Sequence, residues 1–458
     1  MENIKEKNQP DSVMQKSVIR LAWPIFVQCL LGMCLGYIDT IMLSNYSDTS
    51  VGAVGNANQV LGFLTLAFSI ISSATGVVVS QYLGAGKKKE IGKVYTVSIA
   101  FNLLLSAVIS LIVYLFSRQL LVFMNVPAEM MGDANIYMQI VGGFIFTQAV
   151  FDAFDQIFRS NGKTMAGMFL AFAMNILNIA GNFCFLYGPL KFLNLGVTGV
   201  AISTSAGRLI VLVIAIVYFR IAIDGKLSLS YLRPFPFDIL KRLLRLGLPI
   251  AGENISYNMS QIVLSIIVNT MGIVAINTRI YATILCNFAY MYALSMAMAT
   301  QIQVGHSVGA GDYDFAYKRV LKTMRSAIVI SVAIAALNYF VSPFTFRLFT
   351  SDVDIIALGS QVMFIAIFLE FGRSTNLVII NSMKAAGDVK FPTVLGIASM
   401  WGVSVLLGFL LGIVFDLGLV GVWIAMACDE ILRGIVVLIR WLRGTWRGKS
   451  VVKSAPLQ

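Results

Sequence analysis

The sequence predicts an all-α integral membrane protein with 12 transmembrane helices in two six-helix lobes related by a pseudo-twofold along the membrane normal. Three observations predict it: a composition too apolar for water, twelve apolar spans of helical length, and motifs that recur at a fixed offset. Of 458 residues, 58% are hydrophobic and 12% charged, with mean hydropathy +0.82. Soluble domains carry roughly 25% charged residues, and in water this chain would expose large apolar patches. A secreted disulfide scaffold, a soluble enzyme and a disordered tail protein are thereby excluded.

The spans fall at approximately 18–43, 51–83, 93–115, 133–158, 164–187, 197–219, 246–270, 277–306, 326–342, 355–382, 391–414 and 418–439. A hydrocarbon core of about 30 Å needs about 20 helical residues, and each span suffices, some barely. Residues 1–17 are polar and form a cytoplasmic N-terminal segment, with span 1 retained rather than cleaved. Spans 1–6 make an N-lobe over 18–219. The basic stretch 220–245, with Pro234 and Pro236, is a cytoplasmic linker; spans 7–12 make a C-lobe over 246–441, and 442–458 form a cytoplasmic tail.

A net charge of +12 alone is compatible with a nucleic-acid partner, but its distribution points to topology instead. Of 34 Lys and Arg, 27 lie at loops and span ends on the N-terminal side and only Arg118, Lys191 and Arg347 on the other. That asymmetry places both termini in the cytoplasm of a multi-pass plasma or inner membrane protein. The five cysteines, Cys29, Cys34, Cys184, Cys286 and Cys428, lie within spans without a CxxC and read as small buried hydrophobes. Trp23, Trp441 and Trp446 read as interface anchors.

The lobes follow from the repeat. Leu21-Ala-Trp-Pro24-Ile25 returns as Leu246-Gly-Leu-Pro249-Ile250, and Gly84-Ala85-Gly86 as Gly309-Ala310-Gly311, both offset by 225. Gly162 matches Gly387 at 225, and Gly196-Val-Thr-Gly199-Val200 matches Gly418-Leu-Val-Gly421-Val422 at 222. Four matches in register mark a duplication. Six spans per copy, an even number, give both copies one orientation, the parallel-repeat arrangement of some transporters.

Charges within spans are costly and therefore functional candidates. Asp39 has no basic neighbour in sequence. Span 5 offers Asn175, Asn178 and Asn182 on one helical face, so a carboxylate facing amide carbonyls could form an all-oxygen cation site or hold a proton. The competing reading of the Asn stripe is interhelical hydrogen bonding. Glu253 follows Pro249 by four residues; its repeat mate is Gln28, and the mate of Asp39 is Leu264. Glu253 either joins the coupling machinery or pairs with Arg373 or Arg279. Glu370–Arg373 and Glu430–Arg433, each i, i+3, and Asp155–Arg159, i, i+4, read as structural ion pairs, with Glu370 also a candidate for substrate contact. Asp152 joins the Asp155 group.

Tyr37 and Tyr257 are placed to meet an aromatic cation, and Met291 and Met296, in the Met-rich span 8, suit a pocket that repacks around varied ligands. His306, the only histidine, reads as an interfacial polar cap. One His and no Cys/His cluster make a zinc site unexpected, and no nucleophile–base pair suggests an enzyme. The G-x-G at Gly84 lacks a preceding strand and no phosphate loop occurs, so an ion gradient rather than ATP is the expected energy source.

Several of these stretches also carry a family resemblance. Leu21-Ala-Trp-Pro-Ile25, Gly36-Tyr-Ile-Asp39-Thr40-Ile41-Met42, Val79-Ser-Gln-Tyr-Leu-Gly-Ala-Gly86, Arg245-Leu-Gly-Leu-Pro249 and Ala385-Ala-Gly-Asp388 resemble the multidrug and toxic compound extrusion (MATE) transporters over roughly 18–445. The resemblance implies two six-helix lobes and efflux of organic cations or amphiphiles driven by inward Na+ or H+. It also implies that Asp39, Asn178 and Asn182 form an N-lobe cation site. Some members carry Asp where this chain has Asn182, which leaves Na+ and H+ both open. Family coupling acids in span 7 often lie further along than Glu253. No cofactor beyond the coupling ion and no nucleic-acid partner is expected, and one chain suffices for the pathway, so a monomer is expected. The alternative is a flippase for a lipid-linked precursor, from a related fold superfamily, which would need a cavity lined by Arg.

Overall fold

A computed structural model describes residues 12–452; the cytoplasmic placement of 1–11 and 453–458 concerns residues outside the described ones. The helices are α1 (Ser12–Gln15), α2 (Val18–Ser44), α3 (Asp48–Gly84), α4 (Lys88–Phe123), α5 (Ala128–Tyr137), α6 (Phe146–Ser160), α7 (Thr164–Leu186) and α8 (Val197–Ala222) in the first repeat. The second repeat holds α9 (Phe237–Asn269), α10 (Ile273–Ala310), α11 (Tyr313–Arg347), α12 (Val353–Ala385), α13 (Lys390–Ser399), α14 (Leu406–Phe409) and α15 (Gly418–Leu442). No strand occurs among the described residues. Lipid leaves no water for backbone groups, so spans must satisfy their own hydrogen bonds.

Among the described residues nine helical stretches are long and apolar enough to cross a bilayer, and α5 with α6, bent by 45°, makes a tenth. Helix α9 and helix α15 complete the twelve. They are less apolar than the others because α9 carries the polar run Glu253–Gln261 and α15 carries Asp429, Glu430 and Arg433. Only 22% of the most apolar window of α4 is buried, although its mean hydropathy is 2.4. Water would penalise that exposed apolar face; lipid does not.

Two spans depart from simple helices. Span 4 passes through a π-helical turn, Met138–Gly142, before its bend, and span 11 holds two more, Met400–Val405 and Leu410–Val414. Such turns leave backbone groups out of the regular ladder and often mark functional segments.

The repeated glycines recur for a backbone reason. Gly86 and Gly311 (φ 69° and 84°), Gly162 and Gly387 (68° and 92°), and Gly196 and Gly418 (47° and 56°) all occupy the left-handed region at helix ends, where a β-carbon is penalised. Identical turns at matching places are what the duplication requires.

Contacts divide the described chain into two units. One comprises Val27–Val79 and Lys87–Gly247, with a core including Leu43, Ala57, Phe68, Val113, Leu121 and Met138. The other joins the described residues up to Phe26, Ser80–Gly86 and those from Leu248 onward, around Leu264, Phe346, Val362, Leu369, Val422 and Trp423.

Inside this second unit the ends of α3 and α10 cross, both carrying a small residue, three intervening residues and a glycine: Ser80–Gly84 and Gly305–Gly309. A β-carbon on Gly84 would lie 1.9 Å from the His306 carbonyl oxygen, and one on Gly309 would lie 2.1 Å from that of Gln81. Gln81 and His306 are themselves repeat mates, so the crossing is pseudo-symmetric, and small residues are what let two backbones meet so closely.

The structure corrects three readings. Trp441 and Trp446 are fully buried, stacked with centroids 4.1 Å apart, and are not interface anchors; Trp23 is 59% exposed. None of the five free cysteines is fully buried, and Cys34 is exposed. His306 is 1% exposed within α10 rather than at a surface.

Candidate ion-coupling site

In the first repeat, Asp39 on α2 meets the Asn face of α7. Its Oδ1 accepts from Asn182 Nδ2 at 2.8 Å, and the same nitrogen donates to Asn178 Oδ1 at 3.1 Å. Asn178 Nδ2 donates in turn to Thr204 Oγ1 on α8 at 2.9 Å, and Asn175 Nδ2 to the Leu31 carbonyl on α2 at 3.2 Å. The α7–α8 approach depends on Gly181, where a β-carbon would stand 2.6 Å from Ser203 Oγ. Asn178 and Asn182 are buried, while Asp39 is half-buried.

A carboxylate facing amide carbonyls was expected; the amide nitrogen of Asn182 faces it instead, because an ionised carboxylate only accepts. The carbonyl oxygens of Asn175 and Asn182 are left buried without a hydrogen-bond partner. A bound donor such as water, or a cation, would satisfy them. Arg208 on α8, repeat mate of Glu430 at the 222 offset, acts electrostatically on Asp39 and on the buried Tyr137. Among the described residues no cluster of three or more His, Cys, Asp or Glu is placed to hold a metal.

Nearby in the same repeat, Arg159 Nη2 lies 2.8 Å from Asp155 Oδ2 and donates to Gln28 Oε1 at 2.8 Å, while Gln28 Nε2 donates to Asp155 Oδ2 at 3.3 Å. The second repeat builds the equivalent bond from the repeat mates of Gln28 and Arg159. Glu253 Oε2 on α9 lies 2.9 Å from Lys384 Nζ on α12 and accepts from Thr393 Oγ1 at 3.3 Å. Glu253 therefore pairs with neither Arg373 nor Arg279. Lys384, counted with the loop charges, is 6% exposed. Sequence reasoning missed it, although the 225 offset from Arg159 was the available signal. In the first repeat the acid sits one turn from its base on the same helix; in the second it sits across the helix interface.

Deeper in the second repeat, Glu370 Oε1 lies 2.5 Å from Arg373 Nη1, and Arg433 Nη2 bridges Asp429 at 2.7 Å and Glu430 at 3.0 Å. Asn376 Nδ2 donates to Glu430 Oε2 at 2.8 Å, and Ser399 Oγ donates to Asp429. Three acids against two bases leave this cluster formally anionic. It borders a small, partly open pocket lined by Tyr257, Gln261 and the π-helical Met400 and Ser404, among others. Tyr37 and Tyr257 are exposed by 47% and 38%. Met291 is half-buried, and Met296 and Glu370 are enclosed at 2% and 0%, so a ligand would reach them only after α10 and α12 repack.

The MatE family model matches the chain twice, over 24–184 and 249–410, nearly the same 225-residue offset at which the glycines repeat. The chain belongs to the MatE family. An uncharacterized transporter YisQ of Bacillus subtilis (strain 168) is 41% identical, over 95% of this chain and 96% of its own. The probable multidrug resistance protein NorM of Thermotoga maritima is 23% identical, over 96% and 94%. Among solved structures, the Vibrio cholerae MATE transporter VcmN in its bent form superposes with a TM-score of 0.87 at 18% identity, over 96% of this chain and 99% of that one. This MatE chain is a multi-pass membrane protein with a transporter role, and its twelve-helix, two-lobe layout is that of the family.

Proposed function

We propose that this MatE protein is a secondary efflux transporter of the cell membrane, exchanging inward-moving Na+ or H+ for organic cations or amphiphiles by alternating access. The observation that carries the reading is the chain Asp39–Asn182–Asn178–Thr204, with the Asn182 amide oxygen, and that of Asn175 on the same helix face, left without a partner. Rotating the Asn182 amide would present oxygen toward Asp39 and create a site for an alkali ion; a proton needs the carboxylate alone. Either ligand neutralises Asp39 and removes its preference for the α7 amide. A transporter couples two ligands only through such a difference between states. Tyr37 and Tyr257 supply ring faces for the exported cation, Glu253 contributes through its link to Lys384, and lobes 18–219 and 246–441 move about the linker 220–245. The cytoplasm lies at the Lys/Arg-rich ends, and the monomer is the working unit. Arg373 and Arg433 are engaged by carboxylates, which weighs against the precursor-flippase alternative.

The test is ethidium efflux from energised cells with and without Na+ at two pH values. Asp39→Asn is expected to cut gradient-driven efflux at least about tenfold, within the usual range of coupling free energies, while the protein remains folded in the membrane. Normal transport by Asp39→Asn would overturn the reading. The ion whose removal stops wild-type efflux identifies the gradient.

A further inference from the structure

The residues after α15 do not simply trail away. Gly444 and Gly448, with φ of 69° and 77°, reverse the chain, and Trp446 stacks on Trp441 and donates its Nε1 hydrogen to the Trp441 carbonyl at 3.1 Å. Lys449 Nζ then reaches Asp388 Oδ1 at 2.7 Å, while Arg440 Nε holds Asp388 Oδ2 at 2.9 Å. The chain lies directly on the preceding turn, since a β-carbon on Gly387 would stand 2.2 Å from the Lys449 carbonyl oxygen.

Beyond Lys449 the segment grips the other repeat. Gln81 Oε1, on α3, accepts from Val451 N at 2.8 Å and from Ser450 Oγ at 3.1 Å. Gln81 Nε2 donates to the Ala385 carbonyl at 2.6 Å, and the residue is fully buried. Gln81 is also the residue whose backbone carbonyl packs against Gly309 in the α3–α10 crossing.

We propose that residues 444–452 are a strap that holds this crossing closed. It is anchored on the second repeat through Trp441 and Asp388, and its tip, Ser450–Val452, clasps the first repeat through Gln81. If α3 and α10 separate, the anchor persists and the tip must let go, leaving a buried amide oxygen without its donors. On the other side of the crossing, Gln303 Nε2 on α10 donates to the Val13 and Lys16 carbonyls at 3.0 and 2.7 Å, so the segment before α2 clasps the second repeat as well. Release of the tip is thus one control on opening of this end. The inference rests on the alternating-access reading only for its consequence in transport; closure of the crossing can be measured without it.

Hydrogen–deuterium exchange of the purified chain tests the strap, comparing the full chain with one ending at Gly448 and with Val451→Pro. The latter keeps the tail but removes the backbone donor to Gln81. Both variants are expected to exchange about tenfold faster than wild type at residues 80–86 and 303–311, with residues 36–42 around Asp39 unchanged as the control. Unchanged exchange at the crossing in both variants overturns the strap. If the shortened chain loses protection everywhere, Val451→Pro alone decides. Because the readout involves no substrate or ion, failure of the efflux reading would leave this result standing.

Discussion

Glu253→Gln and Lys384→Met are each expected to destabilise the protein by about 3–5 kcal/mol, whereas the double variant recovers most of that loss. The two charges are 2.9 Å apart, with side chains only 11% and 8% exposed, so removing either one strands the other in a poorly solvated place. Removing both leaves polar and apolar groups of similar volume and no uncompensated charge. A double-mutant cycle on thermal or denaturant unfolding in detergent measures this, and additive single effects would show that the pair is not a unit. The same cycle separates structure from coupling. Glu253→Gln alone could stop transport merely by exposing Lys384 to an unpaired state, and that loss would be misread as a missing coupling acid. If the double variant is stable and transports, Glu253 is a link between α9 and α12; if it is stable and inert, the carboxylate itself is required.

That pair also shows what the sequence made legible and what it hid. The offset of 225 relates Gln28 to Glu253 and Arg159 to Lys384, and the structure joins each pair across the same two helices of its repeat. Only the first base was noticed, because Lys384 stands among the Lys/Arg that set topology, and composition cannot tell a loop lysine from one folded back into α12. Helices of the right number and order follow from apolar length, and the family motifs follow from turns that need left-handed glycines. The bend in span 4 and the π-helical turns of span 11 leave no such mark in the apolar pattern. Trp441 and Trp446 misled for a similar reason: tryptophan near a span end is usually an anchor, but here Gly444 turns one ring back onto the other. At Asp39 the residues were legible and the amide orientation was not, because each Asn presents both a donor and an acceptor.

Gly84→Ala and Gly309→Ala are expected to be among the most damaging single-methyl changes at the described glycines, destabilising the crossed arrangement by more than the 1–3 kcal/mol usual for overpacking. At both positions the new carbon would meet a backbone carbonyl, at 1.9 Å from His306 and 2.1 Å from Gln81. A side chain could rotate away; a backbone oxygen in a helix cannot without moving the helix. Relief therefore requires α3 and α10 to separate by more than an ångström, which forfeits close packing along the whole crossing. Gly32→Ala provides the control, since nothing lies within 4 Å of its β-carbon and alanine favours helix by about 1 kcal/mol. Thermal unfolding of the three purified variants checks this, and a Gly84→Ala protein as stable as Gly32→Ala would refute the crossing. The two glycines should also act through the same contact, because each packs on the repeat mate of the residue that receives the other. The double variant should then cost little more than either single change, as one separation of the helices relieves both clashes.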